Sequence, residues 1–248
     1  MDLPFDTLLS AALIIVLAYT VFGLTGFGSS ITAMPLLVHL FPLKIAVPLM
    51  LLLDLCATTL MGIRNRGAAD RKELLRLIPF MLIGMVLGVT LLVNAPERAL
   101  LFVLGCFVLT YAGWSLLFAR GLNTIATGWA VPLATVGGVF TALFGTGGPI
   151  YVIYLAGRLH DKTALRATIG TLILVGGLSR LALFTTAGLY SQLDLLLLAA
   201  GLLPFALLGL FLGNRLHQRL SVQRVMQAVW LVLIVGGVTL IWRSATGG

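Results

Sequence analysis

Phe27-Gly28-Ser29-Ser30 interrupts an apolar run that starts at Leu8, and Phe144-Gly145-Thr146-Gly147 interrupts another that starts at Trp129. The two Phe-Gly pairs stand 117 residues apart (27 to 144) in a chain of 248. The surrounding runs mark a membrane protein. The chain is 60% hydrophobic and only 10% charged, with a mean hydropathy of +1.10, whereas soluble domains are about 25% charged. At bilayer depth an irregular backbone leaves N–H and C=O groups unpaired, so it persists only inside protein or against a water-filled cavity. Matching interruptions in two halves of a membrane chain point to a site near the bilayer midplane.

The halves echo each other beyond the breaks. Lys44-x-Ala46 follows the first break as Lys162-x-Ala164 follows the second. Pro79 is followed by Gly84 and Gly88, and Pro204 by Gly209 and Gly213 at the same spacings. Those glycine pairs suit close helix packing inside a bundle. The expected architecture is an all-α polytopic membrane protein of two inverted repeats. Residues 1–120 form the first, with a broken, re-entrant hairpin at 7–43 and helices at 46–63, 74–93 and 99–118. Residues 121–248 form the second, with a hairpin at 129–157 and helices at 166–187, 193–213 and 225–242.

Charge placement favours hairpins at the breaks. With hairpins, the basic loops at 64–76, 120–128, 158–166 and 215–224 all fall on one face, the cytoplasmic one, and both termini fall outside. A single broken span at each site would instead carry Arg158, Lys162 and Arg166 to the outer face, against the rule. The arms at 8–22 and 31–41 also read as too short to span alone. A hairpin plus three helices crosses an odd number of times, so the second repeat is inverted. The net charge of +8 does not indicate nucleic acid, because the basic residues sit in short loops where they orient helices. The start, Met1-Asp2-Leu3-Pro4-Phe5-Asp6, lacks the basic region of a secretory signal, so the first apolar run is expected to be retained. Cys56 and Cys106 lie in apolar runs and read as buried free thiols.

The string Gly23-Leu24-Thr25-Gly26-Phe27-Gly28-Ser29-Ser30 with Pro35 resembles the N-terminal signature of the TauE/SafE sulfite exporter family. Gly137-Gly138 through Phe144-Gly145-Thr146-Gly147-Gly148-Pro149 resembles its repeated C-terminal counterpart. The likeness spans nearly the whole chain; Ser29-Ser30 departs from the usual glycine-rich form. The resemblance implies transport of small sulfur-containing anions: sulfite, sulfonates or related oxyanions.

The residues at the breaks agree with an anion. Ser29 or Ser30 suits the start of the first returning half-helix, as an N-cap and as a hydroxyl donor. Gly147-Gly148-Pro149 suits the start of the second. Free N–H groups and the positive dipole end favour an oxyanion there, and glycine lets the backbone approach it. The candidate substrate-binding residues are therefore Gly26, Phe27, Gly28, Ser29, Ser30, Phe144, Gly145, Thr146, Gly147, Gly148 and Arg180. The bland alternative is that the glycines only permit tight helix crossing. Asp54 and Arg180 are ionisable residues deep in apolar runs, a functional hypothesis by default. Three roles stay open for them: a structural pair, an anion-binding Arg180 with a proton-linked Asp54, or side chains reaching a wet vestibule.

Thr58, Thr59, Thr168, Thr171 and Thr185 read as bonded back to their own helices, and Tyr151 and Tyr154 as candidates to line the site. His39, His160 and His217 lie near span ends without metal spacing. No GxxxxGK[ST] or HExxH string is present, so neither ATP hydrolysis nor a metal-dependent intramembrane enzyme is expected, and no cofactor or metal is called for. The expected activity is secondary transport, with export of the anion, in the cytoplasmic (inner) membrane; a passive anion channel or an importer are the alternatives. The expected partners are a small sulfur-containing anion and the lipid bilayer, with room for proton coupling and a homodimer.

Overall fold

The computed structural model describes residues 4–25, 28–61, 69–118, 124–191, 193–216 and 222–246. Among these residues the chain forms ten α-helices and no strand. They are α1 (Phe5–Thr25), α2 (Ser29–Leu37), α3 (Leu43–Met61), α4 (Arg71–Asn94), α5 (Glu97–Phe118), α6 (Ala130–Phe144), α7 (Gly148–Ala156), α8 (Lys162–Thr186), α9 (Leu193–Leu216) and α10 (Val222–Thr246). All but α2 and α7 are long and apolar enough to cross a membrane, α6 together with the single 3-10 turn that leads into it. Large apolar side chains such as Leu13, Ile83, Phe102 and Phe211 are exposed, which is the outer surface a lipid-embedded bundle requires.

Two expectations about length need correction. The first arm is not short: α1 runs for 21 residues, because Phe5–Thr7 and Gly23–Thr25 extend the apolar run at both ends. Only the returning arms α2 and α7 are short, nine residues each, or roughly 13 Å. Each broken segment thus pairs a full-length helix with a half-helix. Hydropathy also starts α4 and α8 too late. Asp70 accepts from the Glu73 N–H at 3.0 Å, and Asp161 accepts from the Thr163 and Ala164 N–H groups. Such caps begin a helix in its charged first turn, outside the apolar stretch.

The four glycines after the prolines pack inside the bundle. A Cβ on Gly209 or Gly213 would strike the α1 backbone at Val16 and Thr20, and one on Gly84 or Gly88 would strike α6 at Thr135 and Val139. In both contacts partner numbers rise together, 16 with 209 and 20 with 213, 84 with 135 and 88 with 139, so the paired helices run the same way. α5 and α10 run oppositely: Gly105 meets Ile241, Leu109 meets Gly237, and Trp230 Nε1 donates to Ser115 Oγ at 3.1 Å.

The two ends of the bundle differ in charge. At one end the Asp70 N–H donates to Thr168 Oγ1 at 2.9 Å, and Glu73 accepts from Arg76 and Arg158. Arg71, Lys72 and Arg166 lie at this same end, where α4 and α8 begin. At the other end the Leu43 N–H donates to Glu97 Oε1, Lys44 Nζ donates to the Val93 carbonyl, and Arg243 Nη1 donates to the Val38 carbonyl. The positions Arg64, Arg66, Arg120, Arg219 and His217 lie outside the described residues.

Candidate functional site

The first break resumes at Gly28, whose φ of 96° is left-handed backbone that favours glycine. Gly28 caps α2 with no side-chain hydrogen bond, and Thr32 N–H and Oγ1–H both return to its carbonyl. Ser29 and Ser30 therefore sit in the first turn and do not serve as caps. Both are buried, and both hydroxyls are committed: Ser29 Oγ donates to Asp54 Oδ1 at 2.7 Å, and Ser30 Oγ donates to Asp54 Oδ2 at 2.8 Å. Tyr19 Oη of α1 donates a third hydrogen bond, to Asp54 Oδ1, at 2.7 Å. The half-buried carboxylate of α3 thus ties α1 and α2 together.

The second break turns at Gly145, φ 73°, whose N–H caps α6 on the Phe140 and Thr141 carbonyls. Thr146 follows, 1% exposed, and its Oγ1 has no hydrogen-bond partner. α7 then opens on Gly148-Pro149, so Gly148 offers an N–H and Pro149 has none. Arg180 reaches in from α8. It is 4% exposed, its Nε and Nη2 have no hydrogen-bond partner, and its guanidinium lies 5.2 Å from the Phe184 ring centroid. Among the described residues no ion pair joins it to Asp54. The two breaks meet at Gly145. A Cβ there would lie 2.5 Å from Ser30 Oγ and 3.3 Å from Arg180 Nη1.

These groups enclose a cavity of about 70 Å³. Gly28, Ser29, Ser30, Asp54, Gly145, Thr146, Gly148 and Arg180 line it, with Thr58, Thr141 and Tyr151. Phe144 and Gly147 do not. Phe144 is fully buried against Phe140, 5.9 Å between ring centroids. A Cβ on Gly147 would strike Thr141 Oγ1 and the Gly137 carbonyl, so this glycine joins α7 to α6. Gly26 and Phe27 lie outside the described residues. By contrast, nothing lies within 4 Å of a Cβ on Gly148.

The chemistry of the cavity is donor-rich at one side. A buried donor without a partner costs about 1–3 kcal/mol, and such groups in a native fold call for an explanation. Arg180 and Thr146 together present unmet N–H and O–H groups, which suit a small anion with several acceptor oxygens. The planar guanidinium can grip two such oxygens at once. The space holds a ligand of a few heavy atoms.

Residues that sequence reasoning passed over also matter. Tyr19 reads as one more core aromatic in an apolar run, and only the fold brings it to Asp54, 35 residues on. Phe184 lies four residues past Arg180 on the same helix face, a spacing visible in the sequence. Glu73 is a 4% exposed carboxylate that also accepts from Tyr154 Oη at 2.9 Å, so Tyr154 belongs to the basic end and not to the cavity. Its signal is the Asp70-x-x-Glu73 spacing of a capped helix. Thr59, Thr171 and Thr185 bond to the carbonyl four residues back, as does Thr168, whereas Thr58 lines the cavity. Cys56 and Cys106 are free thiols, but neither is fully buried, and Cys56 is exposed.

The family described as "Sulfite exporter TauE/SafE" matches residues 11–240. The "Probable inner membrane transporter protein TsaS" of Comamonas testosteroni is 28% identical over 200 residues, 79% of this chain and 83% of the relative. No solved structure matches the chain. With a family match that runs from α1 into α10 and takes in both breaks, the chain belongs to the TauE/SafE sulfite exporter family, a family of membrane transporters.

Proposed function

We propose that the protein is a secondary transporter that moves one small sulfur oxyanion, sulfite or an organosulfonate, across the inner membrane by alternating access, with export as its direction. The observation that carries this is Arg180, a buried cation with unmet donors beside the unmet Thr146 hydroxyl, in a cavity between two helix breaks. The family supports a sulfur anion, and the TsaS relative, described as an inner membrane transporter, supports the location. The opposed directions of α5 and α10 support inverted repeats, because a single broken span at each site would make those two helices parallel. The end bearing Arg71, Lys72, Arg76, Arg158 and Arg166 fits the cytoplasmic face, with both termini outside. Cysteines introduced at Ala69 and Leu159 should then react with an impermeant thiol reagent from the cytoplasmic side only.

Binding and turnover test the proposal. Sulfite, thiosulfate or methanesulfonate should raise the thermal midpoint of the purified protein, because a ligand of the folded state stabilises it. Phosphate and chloride should not. Saturable counterflow of the labelled anion in proteoliposomes separates a carrier from a passive channel. Loss of counterflow with retained flux would establish the channel, and imposed gradients read the direction. Absence of any response to all three anions would sink the proposal.

A further inference from the structure

The hydroxyls of the first break face a carboxylate in a cavity suited to an anion. Each hydroxyl carries one proton. Tyr19 and Ser29 give theirs to Asp54 Oδ1, and Ser30 gives its proton to Oδ2. While Asp54 is ionised, none of the three is available to a ligand, although both serines line the cavity. The ionised carboxylate also sets a negative charge in the space an anion would enter. Both effects oppose binding, and one added proton reverses both.

We propose that Asp54 is a proton-operated positioning residue: by taking up one proton it frees the Ser30 hydroxyl to donate to the sulfur oxyanion, so that proton and anion bind together. This rests on the anion site proposed above. The proton count is simple. The incoming proton sits on Oδ2, and the new Asp54 O–H donates to Ser30 Oγ. The Ser30 O–H, displaced from Oδ2, turns about its Cβ–Oγ bond toward the cavity. Tyr19 and Ser29 keep donating to Oδ1. Ser30 is the hydroxyl that turns because it alone bonds Oδ2. It also stands across Gly145 from Arg180, its Oγ 2.5 Å and Arg180 Nη1 3.3 Å from the position of a Cβ there. The freed proton therefore points into the space served by Arg180 and Thr146.

The surroundings leave Asp54 as the group that titrates. α1 brings Tyr19, α2 the two serines, α7 Tyr151 and α8 Arg180; α3 itself carries Cys56 two residues on. α9 carries its ionisable residues only at its ends, Asp194 and Arg215, and α4 in its first turns, Arg71 to Arg76. Arginine keeps its charge at neutral pH, and a tyrosine hydroxyl serves as a neutral donor. A monoanion that moves with one proton moves without net charge. Its flow follows the sum of the two gradients, and about a tenfold anion excess offsets one pH unit. Export then requires the cytoplasmic anion to exceed that ratio.

The test uses methanesulfonate, whose own charge is constant, with the purified full-length protein from about pH 5 to about pH 8. Wild type should bind more weakly as pH rises and, at the high-pH end where free Asp54 is ionised, should take up close to one proton per anion, read as heat that varies with the buffer. Asp54→Asn presents an amide N–H to Ser30 Oγ as the carboxylic acid does. It should bind at high pH as wild type binds at low pH, with no pH dependence and no proton uptake. Ser30→Ala should weaken binding about tenfold at low pH and hardly at all at high pH. An affinity of wild type that does not change with pH, or binding without proton uptake at the high-pH end, would overturn the proposal whatever the variants do. So would an Asp54→Asn variant that keeps the wild-type pH profile, or that folds and binds at no pH. If wild type binds neither methanesulfonate, sulfite nor thiosulfate at any pH, the anion site itself fails and this proposal falls with it.

Discussion

The two breaks share a backbone device and differ in what they do with their polar groups. Each ends a long helix, turns at a left-handed glycine, and restarts as a nine-residue half-helix. At the first, the Ser29 and Ser30 hydroxyls are turned onto Asp54. At the second, the Thr146 hydroxyl and Arg180 Nε and Nη2 have no protein partner. The asymmetry extends to the supporting helices. Asp54 stands ten residues past Lys44; the residue ten past Lys162 is Leu172, which lines the same cavity. One copy of the device is self-satisfied and carries a carboxylate, and the other leaves a cation and a hydroxyl unmet. Two breaks of similar backbone can thus differ in which one leaves its donors unmet.

The sharpest way to break this comparison is at the second tip, where neighbouring glycines play different parts. Gly148→Val places its side chain where nothing lies within 4 Å of a Cβ, and that space belongs to the cavity. The protein should insert and fold, and anion binding should be lost. Gly147→Val drives a side chain into Thr141 and the Gly137 carbonyl. It should destabilise by about 1–3 kcal/mol or more. Thermal midpoints with and without sulfite distinguish the two, and a Gly148→Val protein that still binds would remove the second tip from the site.

How much of this was legible depends on the range of the interaction. The breaks themselves show in the sequence, because a Phe-Gly pair with small polar residues interrupts an apolar run twice. The helix starts at Arg71 and Lys162 do not show in hydropathy, since local capping by Asp70 and Asp161 decides them. Which members of a glycine string face the cavity is set by the turn geometry. Hence Phe144 and Gly147, inside the motif, point away from the space that Gly145, Thr146 and Gly148 line. Asp54 and Arg180 stand out as intramembrane charges, but their lack of an ion pair does not. Tyr19 and the serines meet Asp54 across separations of 35, 25 and 24 residues, which no local pattern encodes.

Arg180 gives the next largest effect. Arg180→Gln should weaken sulfite binding about a hundredfold, because a hydrogen bond to a charged group contributes about 1.5–3 kcal/mol. Arg180→Lys should recover part of that, since it keeps the charge and lacks the planar fork. If the cation instead served only to balance Asp54 through the cavity, Arg180→Gln with Asp54→Asn would restore both stability and transport. The expected outcome is a double variant that folds and stays inactive, and an active one would move the anion away from Arg180.

The smallest effect compares one hydroxyl from each break. Thr146→Val is nearly isosteric and removes an oxygen that has no protein partner. It should therefore cost the fold little, and it should raise stability if the unmet hydroxyl carries a desolvation penalty of its own. It should weaken the anion by about 1 kcal/mol, roughly five- to tenfold. Ser29→Ala removes a donor that already holds Asp54 Oδ1, a bond that Tyr19 duplicates on the same oxygen. Its loss should lower the thermal midpoint without ligand and leave affinity at neutral pH nearly unchanged. The pair separates stability from binding in opposite senses: one variant loses ligand and keeps the fold, the other loses stability and keeps ligand. Equal losses of affinity in both would mean that the anion is shared evenly between the breaks, and that the carboxylate at the first does not keep it away.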